Sequence, residues 1–308
     1  MSDSLPLRAG VAGAGVFGGY HTNKYKDADD ATVTAIFDVD RARADERAAE
    51  HGAVGYDNVD AFLEAIDVVT IATPASTHAA LAAKAIAAGK HVLVEKPIAM
   101  ALGDADALIA AAEAKGVVIQ VGHQERYVAE AFGLFDRETP STVRSRRLNK
   151  FSGRAMDVSV VFDLMIHDLD LLAHLTGRSD AEIIRCEGRT EKGDHADFVD
   201  VELSLGGVKA QLTASRLEEK PIRDLALGYP EGAIHLDFLA RKVTNTTSKP
   251  VATDFDAADL PLSLKDPLAF GTESFLAAVR KGHNALVPGQ AGRRSLAMAL
   301  AIEKALRG

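Results

Sequence analysis

Between Leu7 and Leu93 short apolar runs alternate with polar stretches rich in alanine, lysine, arginine and glutamate. Apolar runs too brief for a free-standing helix and rich in valine or isoleucine fit strands buried on both faces, and the intervening stretches fit crossover helices. The pattern predicts strands at Leu7–Ala12, Thr32–Phe37, Val68–Ala72 and His91–Val94, with a small one at Val54–Tyr56. Helices are expected at Arg41–His51 and Thr77–Ala88, stopped by Gly52 and Gly89. The segment Asp104–Lys115, Gly116, Val117–Val121 repeats the order helix, glycine, strand and completes a parallel sheet near Gly122.

Beyond Gly122 the pattern changes. A helix is expected from about Glu125 to Phe135, a polar strand at Thr142–Asn149 and a helix at Val161–Leu175 ended by Gly177. Phe198, Asp200, Glu202 and Ser204 then alternate with Val199, Val201, Leu203 and Leu205, the period of a strand with one wet face. Gly206-Gly207 reads as a hairpin turn into Val208–Ser215, and further strands are expected around Arg223–Leu227 and Gly232–Leu239. Asp266–Lys281 and Ala291–Leu306 are helical by composition. The fold class expected is therefore α/β for a first domain, residues 1–121, followed by an α+β domain, residues 122–308, built on an open and mainly antiparallel sheet. The two are expected to pack directly and leave a cleft between them.

Composition narrows the partners. With 308 residues, 47% of them hydrophobic and 26% charged, the chain has the make-up of packed globular domains rather than a disordered one. One cysteine, Cys186, excludes an intrachain disulfide and any thiolate-rich zinc cluster. A formal net charge of −9 disfavours nucleic acid, and no apolar run is long enough for a membrane span. Met1 to Arg8 lacks the apolar core of a targeting segment, so a cytoplasmic location and a small-molecule partner are expected.

The strongest local signal is Gly13-Ala14-Gly15-Val16-Phe17-Gly18, which follows a predicted strand and opens the helix that carries His21 and Tyr25. Gly13 would permit the tight turn, Gly15 the approach of backbone to a pyrophosphate, and Gly18 close packing of helix on strand. The amides at the helix start, around Val16 and Phe17, would face the diphosphate. A glycine-rich turn arising by chance is the bland alternative. Against it stands Asp38, twenty residues after Gly18 at the tip of the second predicted strand, where a carboxylate accepts both ribose hydroxyls. The same charge repels a 2′-phosphate, so NAD is expected as cofactor, with NADP not excluded because Arg41 and Arg43 lie nearby. Thr73 and Pro74 end the next parallel strand at the sheet edge where ligands bind, and Pro74 equally well starts the following helix.

At Glu95-Lys96-Pro97, directly after the strand His91–Val94, the chain resembles the glucose–fructose oxidoreductase, inositol dehydrogenase and rhizopine-catabolism (Gfo/Idh/MocA) family with its EKP signature. The resemblance extends to the early glycine motif, to Gly122-His123-Gln124-Glu125-Arg126-Tyr127 and to Asp163-Leu164-Met165-Ile166-His167, and so spans nearly the whole chain. The family segment often continues with Asn and Pro after the aromatic residue, whereas Val128 and Ala129 stand here. The resemblance implies a Rossmann dinucleotide-binding domain joined to an α+β domain, a sugar or cyclitol dehydrogenase, and a homo-oligomer, dimer or tetramer, formed through the second sheet. It also implies a metal-free site in which Glu95 and Lys96 border the cofactor and Lys96, Asp163 and His167 form the catalytic group.

The chemistry of those residues stands beside the resemblance. Alcohol oxidation needs a base for the hydroxyl proton while hydride leaves the same carbon. Lys96 and His167 are the candidates; an ordinary lysine at about 10.4 needs more tuning than a histidine at about 6.5. Asp163 lies four residues before His167, which in a regular helix places both on one face. The structural alternative makes Asp163 a helix cap and His167 a polar residue beside a core. His123 and Arg126 are candidate substrate contacts at the domain junction.

Arg144, Arg146, Arg147, Lys150 and Arg154 fall within Thr142–Met156 with no acid among them, and Arg154 leads toward the helix of Asp163 and His167. Such clustering favours an anionic substrate, a phosphorylated or nucleotide-linked sugar rather than a neutral polyol. The similarity of Asp163 to Asp168 to the corresponding run of nucleotide-sugar dehydrogenases that oxidise the 3-hydroxyl of UDP-N-acetylglucosamine implies the same. A solvated strand or an oligomer contact would account for the arginines equally well. Two other functions remain open: a dihydrodiol- or biliverdin-reductase-like enzyme on a non-sugar substrate, and a catalytically silent NAD-binding regulatory protein.

Overall fold

A computed structural model describes residues 5–253, 255 and 260–307 of the chain, so residues 1–4 of the segment read for targeting lie outside the described residues. The chain divides into two compact units, Met1–Gly122 with Leu268–Gly292, and His123–Pro267 with Arg293–Gly308.

The first unit is built from β1 (Leu7–Ala12), α1 (Val16–Lys26), β2 (Ala31–Phe37), α2 (Arg41–Ala49), β3 (Val54–Tyr56), α3 (Val59–Glu64), β4 (Val68–Ile71), α4 (His78–Ala87), β5 (His91–Val94), α5 (Leu102–Lys115) and β6 (Ile119–Val121). Its sheet runs β3-β2-β1-β4-β5-β6, with every pairing parallel. The order reverses between β1 and β4, where a doubly wound sheet opens a ligand crevice beyond its carboxyl ends. The central strands β1, β4 and β5 are buried on both faces, with Ala9, Val11, Val68, Val69, Val92 and Val94 at 0–1% exposure. That burial is why the strands read as continuous apolar runs without alternation.

The second unit contains α6 (Gln124–Ala131), β7 (Thr142–Leu148), a π-helical segment Val161–Met165 leading into α7 (Ile166–Thr176), then β8 (Glu182–Arg189), β9 (Phe198–Leu205), β10 (Val208–Ser215), β11 (Ile222–Tyr229), β12 (Gly232–Asp237), β13 (Lys242–Asn245) and α8 (Leu262–Lys265). Its seven strands are ordered β13-β12-β11-β7-β10-β9-β8, all antiparallel except the parallel pair β7 and β10. Val199, Val201, Leu203 and Leu205 are buried and their neighbours in β9 turn the other way, as the alternation requires. Gly177 adopts the left-handed conformation (φ 69°) that terminates α7, a backbone state that costs glycine little.

Two further helices close the chain, α9 (Pro267–Lys281) and α10 (Gly289–Leu306). The sequence groups all residues after 121 together, whereas α9 packs in the first unit. Phe275 and Leu276 join Val11, Tyr25, Val33 and Ile36 in one buried cluster, and Arg280 donates to the carbonyl oxygens of Leu5 and Asp30. Full burial of such side chains contributes about 1.5–3 kcal/mol each. A helix states in its pattern that it has an apolar face but not which sheet that face covers. Among the described residues no helix is long and apolar enough to cross a membrane.

Candidate active site

In the first unit the turn after β1 has the geometry of a dinucleotide cradle. Gly13 has φ 105°, a conformation strained for any residue with a Cβ, and a Cβ there would meet the Ala72 carbonyl. A Cβ on Gly18 would overlap the Gly13 carbonyl oxygen, so the helix can approach the strand only as glycine. Gly15 is the opposite case: a Cβ would meet nothing within 4 Å, because the backbone faces open space. Gly15 is also the N-cap of α1 and offers no capping side chain, and Val16 stands 58% exposed beside it. Uncapped amides at the positive end of a helix, next to a glycine with room in front, fit a diphosphate.

Asp38 closes this turn. Its Oδ2 accepts from the Ala14 amide at 2.9 Å, while Oδ1 accepts from the Asp40 amide at 3.0 Å and from Arg43 Nη2 at 2.9 Å. Asp40, the second-best acid by position, is the cap of α2, accepting from the amides of Ala42 and Arg43. Thr77 donates its hydroxyl to the Pro74 carbonyl at 2.7 Å, so the Thr73 hydroxyl, 2.7 Å from Thr77 Oγ1, is the donor of that pair. The Thr73 oxygen keeps its lone pairs for another group.

After β5 the EKP residues part company. Glu95 is 5% exposed, and its Oε1 accepts from His21 Nε2 at 2.8 Å. Burial pushes the Glu95 carboxyl up, but the His21 hydrogen bond and the electrostatic influence of His21, Lys96 and His78 hold it below the usual range. Its carboxylate therefore ties the end of β5 to α1. Lys96 next to it is only half-buried. His21 is a residue that sequence reasoning left without a role; its place one helical turn past Gly18 was the available signal. His78 went unmarked altogether.

In the second unit Asp163 and His167 are the two half-buried positions in an otherwise buried run from Val158 to Ala173. Asp163 belongs to the π-helical segment and His167 to the first turn of α7, so the spacing of four residues spans a change of helix type. The expectation of a regular helix through both is corrected in that respect, and π-helical insertions of this kind concentrate at functional sites. His123 packs edge-on against His167, with ring centroids 5.6 Å apart at 87°, and its Nε2 is hydrogen-bonded to Ser295 Oγ at 3.1 Å.

Two of the expected substrate contacts are placed differently. His123 is 1% exposed and abuts His167 rather than opening to solvent. Arg126 is 5% exposed and grips Asp170 with both Nε, at 2.9 Å, and Nη2. Arg154 is exposed in the loop before the π segment. The basic run also resolves into pairs: Arg147, 1% exposed, binds Asp168 through Nε and Nη2 at 3.0 and 2.8 Å and Glu125 through Nη1 at 2.9 Å, while Arg146 on the opposite face of β7 binds Asp224. Burial opposes the Arg147 charge, but Asp168 and Glu125 hold the guanidinium pKa above its ordinary value. Acids from distant segments thus neutralise much of a cluster that looks purely basic along the sequence. The balance leaves Arg144, Lys150 and Arg154 exposed.

Comparison with known proteins adds four findings. The family described as "Oxidoreductase family, NAD-binding Rossmann fold" matches residues 7–123. UDP-N-acetylglucosamine 3-dehydrogenase of Acidithiobacillus ferrooxidans is 36% identical, with 98% of each chain covered. A solved structure of the enzyme of that name from the same organism superposes with a TM-score of 0.86 at 34% identity, again over 98% of each chain. The WlbA dehydrogenase from Bordetella pertussis, solved with NADH and UDP-GlcNAcA, shares the fold at a TM-score of 0.85 and 19% identity, covering 100% of this chain and 97% of its own.

Proposed function

The chain belongs to the Gfo/Idh/MocA family of NAD-dependent oxidoreductases, and from that premise we propose that it oxidises the 3-hydroxyl of UDP-N-acetylglucosamine or a closely similar nucleotide-linked sugar. The observation that carries the substrate class is the likeness to a UDP-N-acetylglucosamine 3-dehydrogenase along 98% of both chains, second unit included. Inositol 2-dehydrogenase of Ralstonia nicotianae, by contrast, matches over 56% of this chain.

The amides of Gly15, Val16 and Phe17 hold the diphosphate of NAD in this reading, Asp38 the adenosine ribose, and Thr73 and Pro74 the border of the groove. Bound NAD supplies the hydride acceptor, C4 of its nicotinamide ring. Lys96, Asp163 and His167 carry the proton transfer. As the substrate carbon gives up hydride, its hydroxyl proton passes to the base and a carbonyl forms. His167 is the better base because an imidazole needs little tuning near neutrality. Lys96 hydrogen-bonds the substrate oxygen, and Asp163 orients these groups. Glu95, Arg126 and His123, held by His21, Asp170 and Ser295, would support the residues around the ligands.

A substrate panel tests the reading. With NAD present, UDP-N-acetylglucosamine is expected to give reduced nicotinamide at a kcat/KM well above those of free N-acetylglucosamine and myo-inositol. Equal activity on the neutral sugars, with no gain from the nucleotide, would sink the substrate assignment.

Cofactor choice gives a second check. Asp38 already accepts three hydrogen bonds from protein, and a ribose hydroxyl displaces the exposed Arg43 to reach it. Hydrogen bonds to a charged group contribute about 1.5–3 kcal/mol, so Asp38→Ala is expected to weaken NAD about 10- to 100-fold and to erase the discrimination against NADP. Fluorescence titration of both cofactors measures this, and wild type binding NADP as tightly as NAD would contradict it.

A further inference from the structure

His78, the first residue of α4, is 1% exposed, and both of its ring nitrogens face backbone carbonyls of loops that border the proposed site. Nδ1 lies 2.7 Å from the Pro97 oxygen and Nε2 lies 2.9 Å from the Thr73 oxygen. Thr73 ends the turn after β4, and Pro97 directly follows Lys96 in the turn after β5. One buried ring therefore spans the two turns at the carboxyl ends of neighbouring strands.

We propose that His78 is the positioning residue for Lys96: its Nδ1–H donates to the Pro97 carbonyl and fixes the turn from which the lysine side chain projects. This rests on the reading of Lys96 as part of the proton-transfer group. A neutral imidazole carries one N–H and can donate to only one of the two carbonyls. Burial moves the ring pKa below its ordinary value, against the opposing pull of the Pro97 and Thr73 carbonyls and Glu95, and with Lys96 acting in the same direction as burial. The neutral ring thus makes one strong bond, and the shorter contact is the one to the residue after Lys96. With the proton on Nδ1, Nε2 has none to give, and its 2.9 Å approach to the Thr73 oxygen makes no hydrogen bond.

Two isosteric substitutions separate the two nitrogens. In His78→Asn the amide nitrogen occupies the place of Nδ1 and can still donate to Pro97; in His78→Gln it occupies the place of Nε2 and reaches only Thr73. His78→Asn is expected to keep kcat within about threefold of wild type. His78→Gln and His78→Ala are expected to lose about 10- to 100-fold in kcat with little change in NAD affinity, since misplacing a reacting group by about 1 Å costs on that order. The titration of Lys96 Nζ, followed by NMR in isotopically labelled, cofactor-free protein, should match wild type in the Asn variant and differ in the Gln and Ala variants. That readout does not depend on turnover, and it is taken on variants whose far-ultraviolet spectrum shows them folded. The proposal is overturned if His78→Gln keeps both wild-type kcat and the wild-type Lys96 titration, or if the Asn and Gln variants lose equally. Lys96→Met distinguishes the two levels: full turnover in that variant would refute the role of Lys96 itself, whereas an inactive Lys96→Met beside a fully active His78→Gln would refute only the role of His78.

Discussion

Lys96→Met is expected to bind NAD as wild type does and to turn over roughly 10²–10⁴-fold more slowly, the contribution typical of a general acid–base group. The substitution keeps the length of the side chain and removes its charge and its donors. Lys96 is half-buried at the end of β5, whereas the neighbouring Glu95 carboxylate is occupied by His21. The cradle around Gly13, Gly15 and Asp38 lies on the turns after β1 and β2. Cofactor affinity and turnover should therefore separate. His167→Ala is expected to behave alike, with the loss concentrated in kcat. Either variant, folded and saturated with cofactor, turning over at the wild-type rate would remove that residue from the proton-transfer group.

The largest effect on stability is expected from Arg147→Met. The guanidinium lies beneath α6 and α7, tied to Glu125 on one and Asp168 on the other. Removing it strands the Asp168 carboxylate, whose side chain is 2% exposed. Breaking a buried pair by deleting one partner costs about 3–5 kcal/mol, because the remaining charge is buried and uncompensated. Glu125 suffers less, since Arg223 Nη1 still reaches it at 3.0 Å. Arg147→Lys should fall between, keeping the charge but losing the two-pronged contact with Asp168. Urea unfolding of the three proteins provides the measurement. A Met variant within about 0.5 kcal/mol of wild type, the range of ordinary surface substitutions, would show that the network does not hold the two helices.

The same network shows what a sequence conveys and what it withholds. The turn after β1 was legible because its requirements are local: a glycine at φ 105°, another with no room for a Cβ, and an acid at the end of the next strand all lie within 26 residues. The alternation of β9 was legible for the same reason. The partners of Arg126, Arg146 and Arg147 were not, because Asp170, Asp224, Asp168 and Glu125 come from other segments, and only folding brings opposite charges together. The strand β8 was missed: a register shift between Ile183 and Arg185 leaves Ile184 exposed on the edge of the sheet and breaks the period that would have announced it. The π-helical segment before α7 leaves no mark in the pattern, since the same apolar residues serve either helix type. His78 escaped notice because a lone histidine in an alanine-rich helix carries no signal until both of its carbonyl partners are known.

Movement of hydride from a sugar carbon to NAD can be followed through the hydrogen itself. UDP-N-acetylglucosamine carrying deuterium at C3 is incubated with the enzyme and NAD, and the reduced nicotinamide is examined by mass spectrometry. NADH that carries the deuterium is expected. NADH formed without the label, or no NADH at all from a folded protein that binds both ligands, would contradict it.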